Sequence, residues 1–213
     1  MLRLLIIEHR MFNFKDNPMP RKASVSRKTR ETKIDAHMEL DGTGQANIST
    51  GIPFFDHMLT AFAVHGYFDL SLEVEGDIEV DFHHTVEDTG LVLGQVVSEI
   101  LEAKKGIVRF GDACVPMDEA LCRVNIDLSN RPYLVYNIPG DLKCRGPFDI
   151  WLAKEFFQAF CVKGGLNLHI NAHYGLNEHH VLESIFKATG RSLHMATRPN
   201  DIISGSLSSK GSI

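Results

Sequence analysis

The pattern His-His-x-x-Glu occurs twice, as His83-His84-Thr85-Val86-Glu87 and as His179-His180-Val181-Leu182-Glu183, 96 residues apart in a chain of 213. On a helix that turns about 100° per residue, the first His and the Glu stand one turn apart on one face. The second His points about 100° away from the first. The i,i+4 pair therefore suits chelation of one cation while the second His serves another. One copy would read as well as a pair of capping or solvated histidines. Two copies, separated by nearly half the chain, point to a duplicated module in which each half carries its own metal-binding helix.

The order of elements repeats with the motif. From Lys33 to Leu40 polar and apolar residues alternate strictly, as in a half-buried antiparallel strand. Gly42 and Gly44 turn the chain toward a second strand near Gln45 to Thr50. Pro53 opens a helix with Phe54, Met58 and Phe62 at i,i+4 spacing, and His57 and His65 lie on it or at its end. Leu70–Val74 and Ile78–Phe82 read as two further strands before the first motif helix, which runs through Leu101. In the second half Cys122–Leu128 alternates and Tyr133–Ile138 forms another strand. A helix follows near Trp151 to Cys161, then a strand at Leu166–Asn171, and the second motif helix continues to about Ala196. Each half is thus an α+β module with helices on one face of a mostly antiparallel sheet, and the two can pack helix layer to helix layer. The repeats divide the chain at about 21–116 and 117–213. Met1 to Pro20 shares no pattern with either repeat and is expected to be a poorly ordered arm, with Met19 as the alternative start. It is too short and too interrupted for a membrane span or signal-peptide core, and too short for a fused phosphatase domain.

A net charge of −5 argues against a nucleic-acid surface, though not against a local phosphate site. Cys114, Cys122, Cys144 and Cys161 show no zinc-type spacing and read as reduced thiols of a cytoplasmic protein. The metal candidates are His57, His83, His84, Glu87, His179, His180 and Glu183, with Glu155 as the eighth. His57 lies 26 residues before the first motif and Glu155 lies 24 before the second, each on the preceding helix. Imidazole with carboxylate and no thiolate suits manganese, iron, nickel or zinc, and the carboxylate share favours manganese. Arg109, Arg131, Lys187 and Lys210 are candidate anion contacts, each of which could equally be a solvated charge. Ser209-Lys210-Gly211 offers a hydroxyl, an ammonium and backbone N–H groups to a phosphate.

From about Arg21 to Gly211 the residues resemble the imidazoleglycerol-phosphate dehydratase family. The resemblance rests on Arg30-Glu31-Thr32, Phe55-Asp56-His57-Met58-Leu59, His83-His84-Thr85-Val86-Glu87-Asp88 and Asn130-Arg131-Pro132. It continues through Glu178-His179-His180-Val181-Leu182-Glu183, Phe186-Lys187-Ala188 and Ser209-Lys210-Gly211. It implies a duplicated fold like ribosomal protein S5 domain 2, with two mostly antiparallel sheets and helices packed between them. It also implies a homo-oligomer of about twenty-four chains, two manganese ions per active site, and ligands shared between chains. Many relatives carry His where this chain has Glu155.

The implied reaction removes water from imidazole glycerol phosphate to give imidazole acetol phosphate, in histidine biosynthesis. The C–H to be broken is not acidic and hydroxide leaves poorly, so two metals holding the ring as imidazolate would let ring electrons expel the hydroxyl. Glu31 is the proposed base. His57, His65, His83 and His179 face the substrate by resemblance, and Arg109, Arg131, Lys187, Ser209, Lys210 and Gly211 take its phosphate. Repeat symmetry groups His57 with His84, His179 and Glu183 around one ion, and Glu155 with His83, Glu87 and His180 around the other. The rivals are a two-metal phosphoester hydrolase, which wants a carboxylate-rich bridge, and a metal-storage shell, which needs neither Glu31 nor the cations. The expected partner is a small phosphorylated imidazole, with neither nucleic acid nor membrane.

Overall fold

The computed structural model describes residues 21–102, 105–140, 142, 146, 148–202 and 205–209. The expectations for the 1–20 arm, Cys144, Lys210 and Gly211 lie outside the described residues. The first half runs β1 (Lys22–Lys28), β2 (Thr32–Glu39), β3 (Ala46–Ser49), α1 (Pro53–Gly66), β4 (Asp69–Gly76), α2 (His83–Leu101). The second repeats that order as β5 (Phe110–Met117), β6 (Ala120–Asp127), β7 (Tyr133–Asn137), α3 (Ile150–Gly164), β8 (Asn167–Tyr174), α4 (Glu178–Thr197). Each half forms a four-stranded sheet, ordered β1-β2-β4-β3 and β5-β6-β8-β7. In both sheets two neighbour pairs are antiparallel, and the last is parallel because a helix crosses over between its strands. The α+β duplication and the mostly antiparallel sheets are as the sequence indicated.

Two strands lie beyond those the sequence pattern predicts, and one expected strand is absent. Ile78–Phe82 is a turn, with Val80 donating its N–H to the Asp77 carbonyl at 2.8 Å. The reason is that both edges of β4 are already paired, with β2 on one side and β3 on the other. The segment has no ladder to join, and Val80 stays 67% exposed. The turn at Gly42 and Gly44 does not make a hairpin either, since β3 pairs with β4 and not with β2. The additional strands β1 and β5 are the outer strands of their sheets. β1 buries only Val25, and β5 contains Pro116, which an edge strand tolerates.

The four helices lie between the sheets, with α1 against α4 and α2 against α3. Their ends are locally specified. Pro53 starts α1, Asp149 accepts from the N–H groups of Trp151 and Leu152 at α3, and Asn177 accepts from His179 at α4. The core runs through both halves, where Phe156 stacks on Phe186 at 5.5 Å and meets Phe55 edge-on at 5.5 Å. Glycines allow the cross-repeat helices to touch. A Cβ on Gly94 of α2 would meet the Phe160 carbonyl and the Gly164 nitrogen of α3. A Cβ on Gly190 of α4 would meet the Phe62 carbonyl and the Gly66 nitrogen of α1. The two glycines are 96 residues apart and their partners 98, so the two helix pairs are the same contact made twice.

Candidate metal centre

Among the described residues one group of three metal-type donors gathers: His57, His179 and Glu183, whose ligand atoms lie within 4.8 Å of one another. The His57 and His179 Nε2 atoms stand 3.4 and 3.2 Å from the Glu183 Oε2. The contact of α1 with α4 places His57 opposite the first turn of α4, where the i,i+4 pair already shares a face. Glu183 is nearly buried, and its other oxygen accepts from the Lys187 ammonium at 2.6 Å. Burial pushes the Glu183 carboxyl up, but Lys187 and His57 outweigh it and leave the group below its ordinary value. Glu183 is therefore a carboxylate at neutral pH, fixed beside two imidazoles. Such a set suits a borderline divalent cation.

The first-repeat pair is formed too, with His83 Nε2 3.4 Å from Glu87 Oε2. Both motifs have the same shape: the paired rings lie 6.0 Å and 75° apart at His83 and His84, and 6.1 Å and 80° apart at His179 and His180. The second histidine of each motif is turned away from its neighbour's Glu. His84 Nδ1 meets Asp77 at 3.0 Å, while its Nε2 faces Glu31 at 3.9 Å. The Asp77 hydrogen bond, helped by the charges of Glu31, Asp77 and Asp81, raises the His84 pKa against the opposing effect of burial. His180 Nδ1 meets Glu119 at 2.6 Å, and its Nε2 lies 3.5 Å from Asp118. The His180 hydrogen bond, with the Asn177 N–H beside it, pulls the Glu119 carboxyl down to about 2. Spacing alone did not reveal Asp77, Asp118 or Glu119, because they are turn residues outside any period.

Glu155 is half-buried on α3. The 98-residue step that carries Phe62 to Phe160 and Gly66 to Gly164 also carries His57 to Glu155. It is thus the second-repeat counterpart of His57 by position, on the helix that packs against α2, but among the described residues it is not one of the donors that gather. Glu31 sits in the turn before β2, and its N–H donates to Thr29 Oγ1 at 3.1 Å. Arg27 and the Thr32 hydroxyl both donate to the buried Asp88 carboxylate, which ties that turn to α2 one residue beyond Glu87.

The anion candidates divide. Lys187 is engaged by Glu183 and lies 3.5 Å from Met117 Sδ, so it belongs to the metal face. His65 lies further along α1, and burial, then Lys187 and Arg191, lower its pKa. Arg109 grips Asp127 through two bonds of 2.6 and 3.1 Å and also donates to the Leu207 carbonyl. That bond brings the 205–209 tail, with exposed Ser209, to the end of α4 remote from the metal cluster. Arg131 is exposed after Asn130, which has a φ of 57°.

Fold and donor set together define a class: a duplicated α+β protein with a histidine–carboxylate pair at the start of α2 and again at the start of α4. The family model described as imidazoleglycerol-phosphate dehydratase matches residues 50–193. The chain is 57% identical over 195 residues to the imidazoleglycerol-phosphate dehydratase of Desulfosudis oleivorans, covering 92% of this chain and all of that one. It is 53% identical to that of Acetivibrio thermocellus, over 91% of this chain and 99% of the other. Among solved structures, the Staphylococcus aureus dehydratase superposes with a TM-score of 0.75 at 37% identity, over 84% of this chain and 99% of that one. The Pyrococcus furiosus structure gives 0.77 at 32%, over 89% and 100%. The chain belongs to the imidazoleglycerol-phosphate dehydratase family, hydro-lyases of histidine biosynthesis.

Proposed function

We propose that this chain dehydrates imidazole glycerol phosphate to imidazole acetol phosphate, with two manganese ions at each active site. The observation that carries the reading is the convergence of His57, His179 and Glu183 within 4.8 Å. The donors fit a divalent cation: two imidazoles, a carboxylate held ionised by Lys187, and no thiolate. When bound, the ions supply Lewis-acid polarisation of the imidazole nitrogens. The chain's own groups do the rest. Glu31, on the exposed Nε2 side of His84, takes the proton from the carbon next to the departing hydroxyl. Lys187 and His65 extend from the metal cluster along α4 and α1, where they orient the anionic end of the substrate. Arg109, Arg131, Ser209 and Lys210 would complete the phosphate contacts from a neighbouring chain of the assembly, since Arg109 and the 205–209 tail lie remote from this chain's own cluster.

The active form is an assembly, by our reading of twenty-four chains, in which residues of neighbouring chains would together hold each ion. The support is that His84 and His180 are not among the donors that gather in this chain, their Nδ1 atoms meeting Asp77 and Glu119 instead. Glu155, as the counterpart of His57, joins His83 and Glu87. No helix among the described residues is long and apolar enough to cross a membrane. Cys114, Cys122 and Cys161 are free thiols, which suits a cytoplasmic setting.

The test is metal analysis together with product assay on purified protein. Two manganese ions per chain and formation of imidazole acetol phosphate are expected, and chelation should break the assembly into smaller species. Glu155→Ala should lose one ion per chain. Release of inorganic phosphate without dehydration would instead support the hydrolase reading.

A further inference from the structure

The two second histidines share a feature that the metal reading leaves unexplained. Each ring has its Nδ1 gripped by a carboxylate from a turn outside its own helix, at 3.0 Å for Asp77 on His84 and 2.6 Å for Glu119 on His180. Each also has a second carboxylate loosely on the Nε2 side, Glu31 at 3.9 Å and Asp118 at 3.5 Å. Exposure sorts the two kinds. The Nδ1 partners have side chains 22% and 37% exposed, against 54% and 70% for the Nε2-side groups.

The gripping residues are themselves anchored. Glu119 Oε1 accepts from the N–H groups of Leu176 and Asn177 at 3.1 and 2.8 Å, so one side chain joins the β5–β6 turn to the start of α4. Asp77 donates its backbone N–H to the Glu31 carbonyl at 3.1 Å. It thereby fixes the base turn and the His84 ring to one another. The positions are not copies. Glu119 immediately precedes β6 as Glu31 immediately precedes β2, yet Glu119 holds the ring and Glu31 stands clear of it. In the first repeat Asp77 has taken over the holding, which leaves the turn glutamate available for proton transfer.

We propose that Asp77 and Glu119 are positioning residues: each fixes the proton of its histidine on Nδ1, so that Nε2 presents its lone pair outward to a cation. A carboxylate can only accept at Nδ1, so the ring must carry its proton there. This inference rests on the metal reading of the site.

The experiment is calorimetric titration of Mn2+ into the metal-free full chain and into Glu119→Gln and Asp77→Asn variants. Circular dichroism checks folding, and 15N spectra of labelled histidine report the tautomer. Gln keeps an acceptor for the Leu176 and Asn177 N–H groups but turns its NH2 toward Nδ1. That moves the ring proton to Nε2, where it blocks the cation. Affinity at one class of site should fall about 10–100-fold in each variant, with Nε2–H signals replacing Nδ1–H, and Glu119→Asp should restore part of the loss. Folded variants that bind Mn2+ within twofold of the parent would overturn the inference. So would an unchanged tautomer. If Glu119→Gln does not fold, Asp77→Asn carries the same two outcomes at His84. A parent chain that takes up no Mn2+ would instead sink the metal reading.

Discussion

Gly94→Ala tests the link between duplicated packing and the site. The added Cβ would stand 2.6 Å from the Phe160 carbonyl oxygen, 2.9 Å from the Gly164 nitrogen and 3.0 Å from the Lys163 Cβ. Two of these three neighbours are backbone atoms, so no rotamer change relieves the clash. Ordinary contact would require α2 and α3 to separate by roughly 0.8 Å, and such overpacking costs about 1–3 kcal/mol. For a chain of this size that lowers Tm by about 2–12 °C. The same separation moves His83 and Glu87 on α2 away from Glu155 on α3, so metal stoichiometry should fall along with stability. The assay is thermal unfolding of metal-free protein beside metal analysis of loaded protein. Gly140→Ala is the control, because nothing lies within 4 Å of its added Cβ. If Gly94→Ala melts with the control and holds its full metal complement, the close α2–α3 contact is wrong.

Glu31→Gln should keep both metals and substrate affinity while kcat drops by about 10²–10⁴, since the shape stays and the proton acceptor goes; steady-state kinetics and metal analysis decide it. Lys187→Ala should raise KM for the phosphorylated substrate. It should also shift the acid limb of Mn2+ retention to higher pH, because Lys187 helps hold the Glu183 carboxyl down and protonation competes with the cation. Glu119 has a lowered carboxyl, so its contribution to folding is complete above its ordinary value near 4.5 and is lost as pH falls toward about 2. The Tm gap between metal-free parent and Glu119→Gln should therefore narrow across that window, and a gap that widens on acidification would contradict the assignment.

Much of this molecule was legible in the chain. The repeated motif fixed the duplication, and i,i+4 apolar spacing with Pro53 located α1 because its buried face is wide. β2 and β6 were readable because they are inner strands whose alternation is enforced by burial on one side. β1 and β5 escaped because edge strands bury little and so carry little pattern. Ile78–Phe82 misled for the opposite reason: its alternation is real, but β4 has no free edge to receive it. Within the site, repeat symmetry grouped His57 with His179 and Glu183, which do gather, and with His84, which is not among the donors that gather in this chain. The carboxylates behind the second histidines were not, since Asp77 and Glu119 reach their rings from 7 and 61 residues away through turns.

The most direct test of the central claim is product formation from imidazole glycerol phosphate by one preparation, assayed after chelation and again after manganese is returned. The account requires imidazole acetol phosphate from the manganese-loaded protein, none after chelation, and recovery on reloading in the parent but not in a His179→Ala variant. Undiminished dehydration by the fully chelated protein would show that the His57, His179 and Glu183 cluster is not the seat of the reaction.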